Sequence, residues 1–317
     1  MNRAPALLLV ALFAIGASLA SAQEWPARPV KIVFPYSPGG GGDLITRLVA
    51  DRLGRRLGQT VVVENQGGAG GIIGTAAVAK AAPDGYALIV SSVGSIVVAP
   101  QFNPAPFDAI KSFTHIALFG GPPAVLVVNP AVEAKTLKDF IALTRTRPEG
   151  FGFGSPGHGA HVHLIGEMFR QKSGANIYHV PYKGGGASIA DLIGNHIPAA
   201  FGSFGSVSTY IRAGKARLLA ISTDRRIAEF PDVPTFAEAG YGDLVATTWF
   251  GLSGPAGLPR SIVNRLNAEV RAVLALPDVR ERLQMEGVES NDLDPDGYTA
   301  FIRGEIERWT PLARAVK

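Results

Sequence analysis

The chain has 317 residues, 47% hydrophobic and 18% charged, with 38 glycines, no cysteine and a formal net charge of +4. This composition excludes a disordered or fibrous chain and supplies a large core, with two domains expected from the length. The lack of cysteine excludes disulfides and a lipid-bearing cysteine, and the basic residues, adjacent only at Arg55-Arg56 and Arg225-Arg226, form no stripe for nucleic acid.

The first 22 residues stand apart. Met1-Asn2-Arg3 precedes an apolar run over residues 4–20, and Ala20-Ser21-Ala22 ends it. A short basic start, an apolar stretch and a small-x-small end predict a secretory signal cleaved after Ala22. The run is short for a membrane anchor and no charged stop follows it. Cleavage removes only Arg3, leaving 29 basic against 26 acidic residues and a charge of +3. An exported chain of this size without disulfides points to a bacterial periplasm.

Strands and helices then alternate. Val30-Lys31-Ile32-Val33-Phe34 is a strand, and Leu44, Ile45, Leu48, Val49, Leu53 and Leu57 mark one face of a helix. Residues 60–63 form a second strand, followed by Gly67-Gly68-Ala69-Gly70-Gly71 and a helix of small residues to Lys80. Pro83-Asp84-Gly85-Tyr86 is a turn and residues 87–92 are a third strand. A second set begins with the strand 124–128. Thr136, with Asp139 three residues on, caps a helix that ends before Pro148. Strands are expected at 151–154, 176–180, 197–201 and 216–222, with helices at 161–171, 187–193 and 207–212. A strand at 249–252 returns to the first set, and helices at 260–276, 278–287 and 295–312 complete the chain.

Such alternation implies parallel sheets covered on both faces. The expected architecture is α/β with two lobes: residues 23–123 and 247–317 form the first, residues 124–246 the second. Crossings near residues 120–124 and 246–250 give the layout of a hinged binding protein.

Two glycine-rich turns join strands to helices. Phe34-Pro35-Tyr36-Ser37-Pro38-Gly39-Gly40-Gly41-Gly42-Asp43 is one, and Ser155-Pro156-Gly157-His158-Gly159-Ala160 is the other. Each leaves several backbone N–H groups directed at one place, reinforced by the helix dipole, and glycine lets a ligand approach the backbone. Facing one another across a cleft, residues 39–43 and 155–160 would hold a molecule with two anionic ends without lysine or arginine.

Rival readings are weaker. Gly152-Phe153-Gly154-Ser155-Pro156-Gly157 fits a dinucleotide turn, but no acidic residue ends the following strand at Tyr178-His179-Val180-Pro181. Phe153 stands where a nucleophile elbow needs glycine before Ser155. His158, His161 and His163 suggest a metal, yet His161 and His163 are two residues apart and diverge on a helix; no cofactor or metal is expected. His115, His179 and His196 read as structural. Asp43 is either a ligand contact or an acidic residue stabilising the first helical turn.

Longer blocks carry a resemblance. Trp25-Pro26-x-Arg28-Pro29-Val30-Lys31-Ile32-Val33-Phe34-Pro35-Tyr36-x-Pro38-Gly39-Gly40-x-x-Asp43 resembles the opening of the Bug family, periplasmic receptors of tripartite tricarboxylate transporters. Val61-Val62-Val63-Glu64-Asn65-x-x-Gly68-Ala69-Gly70-Gly71, Pro83-Asp84-Gly85-Tyr86, His163-Leu164-x-x-Glu167, His179-Val180-Pro181-Tyr182-Lys183-Gly184 and Pro231-Asp232-Val233-Pro234-Thr235-x-x-Glu238-Ala239-Gly240 are similar to its later blocks, in family order over nearly the whole mature chain. The resemblance implies a type II-like periplasmic binding protein of two lobes, each a mostly parallel sheet flanked by helices, closing over a carboxylate. It implies Ser37, Pro38, Gly39, Gly40 and Asp43 as one carboxylate site and Ser155, Gly157, Gly159 and Ala160 as the other. Ser91, Ser92 and Ser203 are further expected contacts. His158 and His161 stand where such receptors usually carry small or hydroxyl residues, which bears on ligand choice. The implied partners are a small carboxylate and integral membrane permease subunits, the receptor itself being a monomer without enzymatic activity. A receptor that presents its carboxylate to a sensor is the alternative, and an exported enzyme a more distant one.

Overall fold

The computed structural model describes residues 25–288 and 292–316. The signal expected at residues 1–22 lies outside the described residues.

Strand β1 (Val30–Phe34) is buried at four of its five positions, as in a sheet covered on both faces. Helix α1 (Gly41–Leu57) buries Ile45, Val49, Leu53 and Leu57 against it and stops at Gly58, whose φ of 67° glycine adopts without steric cost. Then come β2 (Val61–Asn65), α2 (Ile72–Ala79) and β3 (Ala87–Ser92).

Three elements have no counterpart in the expected order. A π-helical turn, Val93–Val98, runs into the short helix α3 (Ala99–Phe102), and β4 (Phe113–Gly120) follows. Val93–Val98 has the apolar, β-branched composition of a strand. It turns helically because Ser92 caps it: Ser92 Oγ accepts from the Ser95 N–H at 3.1 Å and Ser95 Oγ accepts from the Ser92 N–H at 3.3 Å. In β4, the polar pair Thr114-His115 interrupts the apolar pattern, although His115 is buried.

The second set comprises β5 (Ala124–Val128), α4 (Leu137–Arg145), β6 (Phe151–Ser155), α5 (His161–Ser173), β7 (Ile177–Pro181), α6 (Gly185–Ile193), β8 (Ala199–Ser203), α7 (Phe204–Arg212) and β9 (Arg217–Ile221). Helix α4 opens on the expected capping box between Thr136 and Asp139. Strand β10 (Phe250–Pro255) precedes α8 (Arg260–Leu274), α9 (Pro277–Met285) and α10 (Pro295–Ala315).

The strands form two sheets, β2-β1-β3-β10-β4 and β7-β6-β8-β5-β9. β1 is parallel to β2 and β3, and β6 to β7 and β8. β10 is antiparallel to β3 and β4, and β5 to β8 and β9, so both sheets are mixed. The reversal has a simple cause. Each reversed strand arrives directly from the other sheet and starts at the edge where its neighbours end: Phe250 pairs with Ser92, and Ala124 with Ser203.

The crossings at residues 121–123 and 246–249 run side by side. Pro123 bridges Thr247, and the Thr248 N–H donates to the Pro122 carbonyl at 3.0 Å. A Cβ at Gly121 would lie 2.2 Å from the Thr248 carbonyl oxygen, so this approach requires glycine. One core lies between the first sheet and α1, α8 and α9. A larger one joins the lobes, packing Val93, Val97 and Phe102 with Phe153 and Phe201 and with Trp249, Tyr298 and Trp309. Among the described residues no helix is long and apolar enough to cross a membrane.

Candidate binding site

Because the reversed strands begin where β3 and β8 end, strand ends, crossings and helix starts share one edge of each sheet, where ligands of open α/β sheets bind. The two edges enclose a cavity of about 50 Å³. Five helical starts line it: Gly40 and Gly41 at α1, Ser92 and Gly94 at the π turn, Ala160 and His161 at α5, Gly185 at α6, and Ser203 at α7. The first N–H groups of a helix have no intrahelical acceptor, and each α-helix start carries roughly half a positive charge. Phe34, Tyr36, Pro156, Val162 and Phe250 supply apolar wall, with Thr248 and Ser37. None of the lining residues is Lys, Arg, Asp or Glu. Such a wall can neutralise an anion through backbone dipoles.

Close packing explains two glycines. A Cβ at Gly42 would lie 2.5 Å from the Phe250 ring and 2.9 Å from that of Phe34, and one at Gly94 would lie 2.5 Å from the Tyr36 hydroxyl. Burial pushes the Tyr36 phenol up to about 12, so it stays a neutral donor; it lies 3.3 Å from Ser92 Oγ. The lobes are closed over the cavity. Ser37 N and Oγ both donate to the Lys183 carbonyl, at 3.1 and 3.0 Å, and Ser208 Oγ donates to the buried Glu286 carboxylate at 2.9 Å.

Of the residues singled out from the sequence, Ser37, Gly40, Ser92, Ala160 and Ser203 line the cavity. Pro156 of the second turn and His161 line it as well; Asp43, Ser91, Ser155 and Gly159 make their contacts elsewhere. Asp43 is turned into its own loop, where Oδ2 accepts from the Gly39 N–H at 3.1 Å and Arg47 Nε at 3.0 Å, and Oδ1 from Asn65 Nδ2 at 2.8 Å. It shapes the turn that carries Pro38 and Gly39. Ser91 and Ser92 point to opposite faces of β3. Ser91 Oγ lies among Ser253 Oγ, Tyr298 Oη and the Gly251 carbonyl. Ser155 is 2.6 Å from His179 Nε2, and its Oγ accepts from the Gly157 N–H at 3.2 Å. Gly159 donates its N–H to His163 Nδ1 at 3.2 Å and packs on Ala99.

Gly41 and Gly42 fall within the turn 39–43 read from the sequence, whereas Gly94, Gly185 and Thr248 were not singled out there. Gly185 had a signal: Gly184-Gly185-Gly186 is a further glycine-rich strand-to-helix turn.

His161 and His163 diverge as their spacing suggests, but His158, three residues before His161, sits with His163 instead. His161 turns toward Thr248 and Trp309, while His158, His163 and His179 stack behind the second turn, with His163 and His179 centroids 4.0 Å apart. No group of three or more metal-competent side chains occurs among the described residues. Burial pushes His115 and His179 down to about 4, His161 to about 3 and His163 to about 2; nearby imidazoles add to the effect at His163 and His179. Unfolded, these groups protonate near 6.5. The unfolded state therefore binds more protons as pH falls, so their contribution is complete above about pH 6.5 and lost towards the folded-state values. Chemical denaturation is expected to show about 2 kcal/mol lost between pH 7 and pH 5 for each histidine that stays neutral in the folded state. An unchanged stability over that range would mean that the imidazoles take up protons in place.

A sequence model described as the tripartite tricarboxylate transporter family receptor matches residues 45–317. The protein BugT of Bordetella pertussis (strain Tohama I) is 37% identical over 319 residues, covering 99% of this chain and 98% of that relative. Among solved structures, Rpa4515 of R. palustris with adipate is 30% identical with a TM-score of 0.88, covering 92% of this chain and 98% of that one. MatC of Rhodopseudomonas palustris with bound malate is 29% identical with a TM-score of 0.87, covering 91% and 100%.

Proposed function

Since the chain belongs to the tripartite tricarboxylate transporter receptor family, we propose that it captures a small carboxylate in the interlobe cavity and delivers it to integral membrane permease subunits. In this reading it works in the periplasm, as a monomer, and changes no covalent bond of its ligand. The observation that carries the reading is the convergence of helix starts from both lobes on a cavity whose wall holds no charged side chain. Neutral, fixed N–H donors bind an anion without first giving up the hydration of a cation. Gly40, Gly41 and Gly42 with Ser37 would hold one carboxylate. Ala160, His161 and Val162, with Gly185 and Ser203, would hold the other. The relatives solved with adipate and malate support a guest with two such ends.

Capture follows from closure. A ligand that touches both lobes binds the closed state better and shifts the population towards it. Thermal denaturation of the mature chain against a carboxylate panel tests this. A dicarboxylate at about 100 times its Kd stabilises by about 2.7 kcal/mol, which raises the melting temperature by roughly 5–10 °C. A panel in which only neutral sugars or cations shift the transition would reject the proposal.

A further inference from the structure

Helices α7 and α9 stand in different lobes and meet across the closed cleft. α9 packs Val279 and Leu283 into the core of the first sheet, and α7 packs Phe204 and Val207 into that of the second. Glu286, directly after α9, brings a buried carboxylate to the contact. Its Oε2 accepts from Ser208 Oγ at 2.9 Å, and its Oε1 lies 2.8 Å from Arg282 Nη2. A Cβ at Gly205 would lie 3.2 Å from Oε2, so the carboxylate sits over the first turn of α7, at the positive end of that helix. From the last turn of α7, Arg212 Nη2 donates to the Met285 carbonyl at 3.0 Å. That carbonyl ends α9, where a helix leaves its acceptors without intrahelical partners. Gly205, Ser208 and Arg212 are spaced by three and four residues and share one face of α7.

Both halves of the contact are oriented from their own side. Arg282 holds Glu286 from four residues back in the chain, and Glu229 binds Arg212 Nε and Nη2 at 2.8 and 2.9 Å. Side chains fixed in this way lose little freedom on docking. Ser208 makes no other side-chain hydrogen bond among the described residues, so its hydroxyl finds a protein acceptor only across the lobes. None of Ser208, Arg212, Arg282 and Glu286 lines the cavity.

Resting on capture by closure, as read above, we infer that Ser208 and Glu286, with Arg212 on the Met285 carbonyl, form a clasp that favours the closed state whatever the guest. A ligand held by both lobes needs that state, so the clasp sets the affinity for every ligand by the same factor without touching any of them.

The chain has no cysteine, so spin labels on two introduced cysteines, one in each lobe, report the distance between the lobes. The unliganded wild-type chain is expected to show a closed distance beside an open one. Ser208→Ala suits a helix and leaves the buried Glu286 carboxylate short of a donor on closing; the closed-to-open ratio is expected to fall about tenfold. In a Glu286→Ala background the same substitution is expected to leave the ratio unchanged, because the pair is already broken. Calorimetry with adipate and malate is expected to show weaker binding in S208A, by one common factor for the acids that bind. A wild-type chain that is wholly open without ligand, a ratio that S208A does not move, or a loss confined to one of two acids that both bind overturns the inference. Failure of every carboxylate to bind the wild-type chain would overturn the carboxylate reading alone, since the distances decide the clasp without any ligand.

Discussion

Replacing Gly41 with valine is expected to weaken carboxylate binding at least about a hundredfold while leaving the unliganded protein folded. A Cβ there would lie 2.9 Å from Ser203 Oγ and 3.1 Å from the backbone of Gly205 and Ser206. Those atoms belong to the opposite lobe, so the clash arises only on closure. Gly41 is in the first turn of α1, where valine is tolerated at small cost. The variant would therefore meet its ligand with one lobe and lose the donors of the other. A hundredfold is about 2.7 kcal/mol, comparable to one or two hydrogen bonds to a charged group. Gly40→Val should act alike. Gly40 has φ −83° and ψ 163°, which suit a β-branched residue, and its Cβ would lie 3.9 Å from Gly185 Cα, leaving no room for the two branching methyls. Calorimetry beside a melting curve separates affinity from folding. Undiminished affinity in both variants would remove the first glycine turn from the site.

Trp309→Ala is expected to be the most destabilising of the substitutions considered. The indole is fully buried in the core that joins the lobes, and its Nε1 donates to Glu305 Oε2 at 2.9 Å. The same oxygen accepts from Trp249 Nε1 at 2.7 Å, and the Arg308 guanidinium lies 4.5 Å from the Trp309 ring centroid. Truncation of a buried tryptophan costs roughly 3–5 kcal/mol, which lowers the melting temperature by about 10 °C in a chain of this size. Binding should weaken as well, because the hole opens behind His161. Trp309→Phe keeps much of the apolar volume and is expected to recover more than half of the loss. A shift below about 2 °C for the alanine variant would show that the lobes do not depend on this shared core.

The alternation of strands and helices, the capping box of α4 and the placing of glycine turns between strands and helices were legible in the residues alone. Each depends on neighbours within a strand or a helical turn: the burial of β1, the spacing of Ile45, Val49 and Leu53, and Thr136 with Asp139 three residues away. Features made by partners distant in the chain were not. The reversal of β5 and β10 comes from entry at the cleft edge, and β4 is a strand because it pairs with β10, whose Ser253 also gives the buried His115 a partner. Residues 93–98 look extended until Ser92 and Ser95 cap them as a turn.

The same division runs through the site. Ser37, Gly40, Ser92, Ala160 and Ser203, which line the cavity, were reached from the glycine turns and strand ends together with the resemblance to the family. That Asp43 folds back onto Gly39 and Asn65, that Ser155 meets His179 behind its loop, and that Gly185 and Thr248 reach the cavity instead, follow from how the two lobes face each other. Backbone donors are set by short-range geometry, which spacing encodes. The direction of a side chain across a cleft is set by long-range packing, which it does not.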